Sequence, residues 1–173
     1  MPVKLKEVEK VEILTLQDNY VDIAAFDGTE IVQRALPVKD KEIKNSILAE
    51  HGFSAMVTIS ADEMPRSLLF DFGFSEHGAA HNADALDLDL TAVEVMVLSH
   101  GHMDHFGGLE QLAARIAKRD IDLVLHPTAF RTSRYIKVSD GNKIGLPALK
   151  RERFENAGIS IVETVKPYLL LDE

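Results

Sequence analysis

An apolar run, Val95-Met96-Val97-Leu98, leads the chain into Ser99-His100-Gly101-His102-Met103-Asp104-His105 and then into Phe106-Gly107-Gly108-Leu109. Three imidazoles and one carboxylate within six residues make up most of a metal site, carried on a passage from strand to loop to helix. This restricts the fold, because the strand must end where a loop can fold back on itself and a layered domain must hold that loop. With seven histidines in 173 residues, His-x-His-x-Asp-His arises in roughly one shuffled sequence in a thousand. Side chains two apart on an extended segment point the same way, so His100 and His102 can share one cation while Asp104 and His105 serve a second. Asp104 also reads as a helix N-cap ahead of Leu109. Gly107 and Gly108 remove side chains where a substrate or another loop must come close.

Composition narrows the chemistry. There is no cysteine, so any metal is held by imidazole and carboxylate. Zinc suits that donor set, as one ion or two, and iron or manganese are compatible with it. A formal charge of -9 disfavours non-specific binding to nucleic acid or to an anionic membrane, and it leaves room for a local basic pocket that takes a small anionic substrate. The apolar runs are too short for a membrane span, and Met1 to Lys10 lacks the apolar core of a signal peptide, so a cytoplasmic protein is expected. The chain can bury one sizeable core, and residues 1–173 read as a single domain.

The remaining elements follow from periodicity and turn chemistry. Val11 to Leu16 reads as a first strand, and Tyr20 to Asp40 as mostly loop. Ser54 to Ile59 and Ser67 to Asp71 read as a hairpin joined through Ala61 to Arg66. Glu76 to Leu86 carries alanines at helical spacing, and Val93 to Leu98 is a buried strand. Leu109, Leu112, Ala113, Ile116 and Ala117 mark an amphipathic helix. Ile121 to Leu125 is a strand running into His126-Pro127. Tyr135 to Leu146 is a second hairpin turning at Ser139 to Asn142. Lys150 to Ala157 is a short helix stopped by Gly158, and Ile159–Val162 and Tyr168–Leu171 are closing strands. Strands first, then strands alternating with helices, predict an α/β or α+β layered domain.

His100 to His105 resembles the His-x-His-x-Asp-His signature of the metallo-β-lactamase fold, and Leu68 to Gly73 resembles the strand and Asp-x-Gly turn that precede it there. Leu48-Ala49-Glu50-His51-Gly52-Phe53-Ser54, His81-Asn82-Ala83, Leu98 to His102 and His126 to Phe130 are similar to the branch of 7,8-dihydropterin-6-methyl-4-(ribofuranosyl)aminobenzene-5'-phosphate synthase-like proteins. The resemblance implies an α/β fold, the αββα metallo-β-lactamase sandwich. It further implies that His100 and His102 hold one metal, that Asp104 and His105 hold a second, and that Asp71 orients the histidine loop. A strand-end turn explains Asp71 equally well. His126 and Asn82 are candidate pocket residues, although a His-Pro turn accounts for His126 as naturally. His51 and His77 read as surface residues.

Proteins of this fold take further ligands from the C-terminal half, yet no histidine follows His126, and Asp140 and Asp172 are poorly placed to bridge two metals. The expectation is therefore the N-terminal half of the sandwich plus insertions: a fragment, a split subunit or a short form. One half leaves a sheet face uncovered, which predicts a homo-oligomer or a complementary C-terminal half, with Tyr168 to Leu171 as the open edge. The function implied is a metal-dependent hydrolase that activates water against an ester or phosphoester, with Asp104 able to accept a proton. The alternatives are a pterin-linked transferase releasing diphosphate on the same scaffold, and a non-catalytic binding or assembly subunit with a degenerate metal cluster.

Overall fold

The computed structural model describes residues 5–25, 27–61 and 64–171. Among these residues the strands are β1 Lys10–Gln17, β2 Val38–Lys39, β3 Glu42–Ile43, β4 Ser54–Ala61, β5 Met64–Phe70, β6 Val93–Leu98, β7 Ile121–Leu125, β8 Tyr135–Lys137, β9 Lys143–Gly145 and β10 Ile159–Glu163. The helices are α1 Gly78–Ala85, α2 Met103–Phe106, α3 Leu109–Ile116 and α4 Arg151–Asn156. Six strands form one mixed sheet in the order β1-β4-β5-β6-β7-β10. β1, β4 and β5 pair antiparallel, whereas β5, β6, β7 and β10 run parallel. The architecture is α/β, as the alternation of strands and helices predicts.

Period-two alternation assigns each strand residue to a face. Leu69, Met96, Leu98, Leu123, Leu125 and Ile159 point to one side, where Ala79, Ala80 and Ala83 of α1, Leu109, Leu112 and Ile116 of α3 and Phe154 of α4 cover them. Leu109, Leu112 and Ile116 are fully buried, which realises the predicted stripe. The helix stops one residue earlier than its apolar pattern, because Ala117 takes a left-handed conformation at φ 56°. The opposite face carries Leu68, Val95 and Val124, flanked by the partly buried Val57, Ile59, Phe70, Val97 and Val162. Leu170 and Leu171 lie across it.

That last contact corrects the reading of Tyr168–Leu171 as a closing strand and open edge. The segment is irregular, Leu171 has φ 57°, and its carbonyl accepts a 2.6 Å hydrogen bond from Nη1 of Arg66. Leu170 and Leu171 pack on a sheet face instead of pairing along an edge, so their apolar character reflects burial and not strand pairing. The edges of the sheet are β1 and β10. The first hairpin is longer than its apolar runs, with register from Ala55↔Phe70 out to Ala61↔Met64. Asp62 and Glu63, expected in its turn, lie outside the described residues, as do Met1 to Lys4 and Asp172. The hairpin around Asp140 forms as expected, and residues 20–40 are largely loop.

Because β5, β6 and β7 are parallel, their carboxyl ends meet on one side of the sheet. Asp71 follows β5, Ser99 and His100 follow β6, and His126 follows β7. Loops at the carboxyl ends of parallel strands are where open α/β sheets bind ligands.

Candidate metal centre

The carboxylate of Asp71 is the organising group. It is 1% exposed, and its backbone takes φ 55°, a left-handed conformation that aspartate tolerates better than most residues. Its amide donates to the Val97 carbonyl at 2.9 Å, and its carbonyl accepts from Ser54 Oγ at 2.9 Å. Oδ1 accepts the Ser99 amide at 2.8 Å. Oδ2 lies 2.7 Å from both Ser99 Oγ and His105 Nδ1.

These contacts determine where the protons sit. A carboxylate only accepts, so the Ser99 hydroxyl donates to Oδ2, and Nδ1 of His105 carries its ring proton toward the same oxygen. Ser99 Oγ has then spent its hydrogen. His100 Nδ1, 2.9 Å away, must donate to it. One buried aspartate therefore sets the tautomer of two imidazoles, His105 directly and His100 through Ser99, and leaves Nε2 of each as the lone-pair nitrogen. Hydrogen bonding of this kind orients metal-ligating histidines.

The rings pack closely. His100 Nε2 lies 3.0 Å from His102 Nδ1, and the His100 and His105 ring centroids are 4.2 Å apart. Burial, and then the neighbouring His105 and His102, push the His100 pKa below its ordinary value against the opposing pull of Asp71 and Asp104. His100 is thus neutral at neutral pH, the state that ligates a cation. Asp104 Oδ2 lies 3.4 Å from His105 Nε2 and 3.3 Å from His51 Nε2. As the side chains stand, no three His, Asp or Glu among the described residues are grouped to hold an ion. The donor set fits a hard-to-borderline divalent ion in its chemistry: neutral imidazole nitrogens with fixed tautomers, and a carboxylate oxygen facing two of them.

The structure places the predicted residues unevenly. His100, His102, Asp104 and His105 come together, with Asp71 behind them. Asp104 sits inside the first turn of α2, whose N-cap is His102, and α3 is capped by Gly108, so the N-cap reading of Asp104 does not hold. Gly107 and Gly108 admit a loop, not a substrate. Their amides donate to the carbonyls of Gly73 and Phe72, and a Cβ on Gly107 would overlap the Phe74 carbonyl. Asn82 is fully buried, with Nδ2 donating to the carbonyls of Leu16 (2.6 Å) and Leu48 (2.9 Å) and Oδ1 accepting the Leu48 amide (2.8 Å). Its polar atoms tie β1 to the 46–50 loop, and it borders a groove with Thr15, Gln17 and Gln33, apart from the histidine cluster. His126 caps the turn Pro127–Phe130, with Nδ1 on Thr128. Arg134 lies against Gly101 while donating to the carbonyls of Thr128 and Ala129.

Two residues escaped the sequence reading. Ser99 is the relay between Asp71 and His100; its position immediately before the histidine loop was the available signal. His51, read as surface, reaches Asp104 from a distant loop, and no spacing rule reveals that. A surface groove of about 680 Å³ lies beside β1 among residues such as Ile13, Tyr20 and Ile31, away from the histidines.

The fold and site define a layered α/β protein with a His-x-His-x-Asp-His loop at the carboxyl ends of its parallel strands. The sequence model of the metallo-beta-lactamase superfamily matches residues 65–162, more than half of the chain, and the chain belongs to that superfamily. A curated relative is the 7,8-dihydropterin-6-methyl-4-(beta-D-ribofuranosyl)-aminobenzene-5'-phosphate synthase of Methanocaldococcus jannaschii, 28% identical over 85 residues. That match covers 49% of this chain and 29% of the relative, so the chain spans under a third of that protein's length. Among solved structures, a subclass B3 metallo-beta-lactamase from a soil metagenome library is similar at 20% identity and a TM-score of 0.40, over 70% of this chain and 44% of its own. The subclass B3 enzyme BJP-1 of Bradyrhizobium japonicum is similar at 17% identity and a TM-score of 0.39, over 65% and 39%. A quorum-quenching N-acyl homoserine lactone lactonase is similar at 14% identity and a TM-score of 0.38, over 63% and 44%. Among the described residues no helix is long and apolar enough to cross a membrane.

Proposed function

We propose that this chain carries the metal-binding part of a metal-dependent hydrolase acting on a small anionic ester or phosphoester. The observation that carries the reading is the pair of tautomers imposed by Asp71, which directs lone pairs from His100 and His105 into one cluster. His100 and His102 would hold one ion, and Asp104 with His105 a second. Zinc, or iron or manganese in its place, would supply an acidified water and a Lewis acid for the ester or phosphoryl oxygen.

The protein's own contribution is orientation. Asp71 and Ser99 hold the imidazoles in the ligating tautomer, and Asp104, 20% exposed, would accept a proton from the attacking water. Arg134 puts a fixed positive charge beside Gly101, which supports an anionic substrate. A second reading, a pterin-linked transferase that releases diphosphate, draws on the name of the Methanocaldococcus relative. The same ligands would assist a leaving diphosphate.

The test is calorimetric titration of the chain with Zn²⁺, followed by assays with an activated phosphodiester, an activated ester and a pterin-methyl diphosphate. The hydrolase reading expects ion binding and ester or phosphodiester turnover, both reduced in His102→Ala. Turnover of the pterin diphosphate alone would favour the transferase. Absence of ion binding by the intact chain would refute both.

A further inference from the structure

Three acceptor atoms crowd together at the outer side of the histidine loop. His51 Nδ1 lies 2.9 Å from Asn19 Oδ1, and the Asn19 amide is oriented by Nδ2 donating to Asp18 Oδ1 at 3.3 Å. Asn19 therefore offers His51 an oxygen, so the ring proton of neutral His51 resides on Nδ1 and its Nε2 carries a lone pair. That Nε2 faces Asp104 Oδ2 at 3.3 Å. On the other side, the lone pair of His105 Nε2 faces the same oxygen at 3.4 Å, because Asp71 holds the His105 proton on Nδ1. With both rings neutral, two lone-pair nitrogens face one carboxylate oxygen with no hydrogen between them, an arrangement that repels until a cation joins it.

The backbone holds His51 in this place. The Phe53 amide donates to the Asp104 carbonyl at 3.2 Å, and Gly73 donates to the Phe53 carbonyl at 2.9 Å. Gly52 has φ 119°, and a Cβ there would overlap the Asp104 carbonyl oxygen. The 51–53 loop is thus pinned to the residue that its histidine faces. The His51 ring also tilts against Phe74, centroids 6.2 Å apart.

We propose that His51 is a further ligand of the cation site faced by Asp104 and His105, contributed by the loop between β3 and β4. The inference rests on the reading of the histidine loop as a metal centre. His51 brings a third donor to a pair that otherwise comes entirely from α2, and Asn19 fixes its tautomer as Asp71 fixes that of His105.

The experiment titrates the chain with Co²⁺ alone, followed by calorimetry and visible absorption, for the unaltered protein and for His51→Ala, Asp104→Ala, His102→Ala and His81→Ala. His51 is 71% exposed on its side chain, so its removal leaves folding intact, which a thermal melt verifies. The proposal expects His51→Ala and Asp104→Ala to weaken the same binding phase by tenfold or more and to change the Co²⁺ absorption band. His81, whose Nε2 meets the Ser46 carbonyl, serves as the control and leaves binding unchanged. If His51→Ala binds Co²⁺ like the unaltered protein, or more tightly, while His102→Ala is weakened, His51 is a salt-bridge partner only and this proposal fails by itself. If the unaltered protein binds no Co²⁺, the metal-centre reading fails with it.

Discussion

Asp71→Asn separates the electrostatic role of Asp71 from its shape. The amide has the same outline as the carboxylate, but one acceptor becomes a donor. The Ser99 amide, 2.8 Å from Oδ1, is a backbone donor that cannot rotate, so the carboxamide oxygen is expected to stay there. The new NH₂ then faces Ser99 Oγ and His105 Nδ1, each 2.7 Å from Oδ2 in the parent protein. Ser99 must accept where it had donated. Its hydrogen turns to His100 Nδ1, and both His100 and His105 move their protons to Nε2. Three charge-assisted bonds become neutral ones at about 1 kcal/mol each, partly offset by the lower cost of burying an amide. The net loss of stability is about 1–3 kcal/mol. Metal affinity falls about 10- to 100-fold, because the ligating nitrogens are now protonated. Urea denaturation measures the first effect, Zn²⁺ calorimetry the second, and long-range ¹⁵N–¹H correlation of the imidazoles reads the tautomers directly. Unchanged Nδ1–H tautomers for both rings, together with parent-like Zn²⁺ affinity, would refute the claim that Asp71 sets the protonation of the cluster.

Other perturbations test the scaffold. Gly107→Ala drives a methyl into the Phe74 carbonyl and is expected to destabilise the fold by about 3 kcal/mol or more, read as a lower urea midpoint. Leu171→Ala uncovers Leu68, Val95 and Val124, and a loss of about 2–3 kcal/mol is expected in the same assay. Arg115→Gln tests a pH dependence: its hydrogen bonds to Asp84 hold that carboxyl below its ordinary value. A lowered folded-state pKa stabilises above the unfolded value and is lost as pH falls through the folded one. The pair is partly exposed, so the variant should be less stable by about 0.5 kcal/mol at pH 7, a gap that closes below about pH 4. A gap that persists at pH 3 would mean packing, not charge.

Much of this arrangement was legible in one dimension. The strand Val93–Leu98, the helix from Leu109 and the strand Ile121–Leu125 follow from periodicity, because burial on a sheet face or a helix stripe repeats at fixed spacing. The His-x-His-x-Asp-His loop was legible because its members are neighbours in sequence. What was not legible has a common cause. Leu169, Leu170 and Leu171 are as apolar as a strand, yet Leu170 and Leu171 pack over a face and Leu169 stays exposed; composition does not record the partner. Asn82 adjoins His81 in a motif-like stretch, and nothing in one dimension tells that its amide holds the backbone of Leu16 and Leu48. Gly107 and Gly108 read as room for a substrate or another loop, and it is the 72–75 loop that fills the space.

Sequence alone determined which groups are available to this protein: imidazoles and carboxylates without thiols, concentrated in one loop at the end of an apolar strand. Tertiary structure decided what state those groups are in. Parallel pairing of β5 with β6 sets Asp71 beside Ser99, so that one carboxylate distributes the protons of His100 and His105. The pinning of Gly52 and Phe53 to Asp104 brings His51 to the same cluster. Tautomer and lone-pair direction depend on hydrogen-bond partners within about 3 Å, and those partners are far apart in the chain.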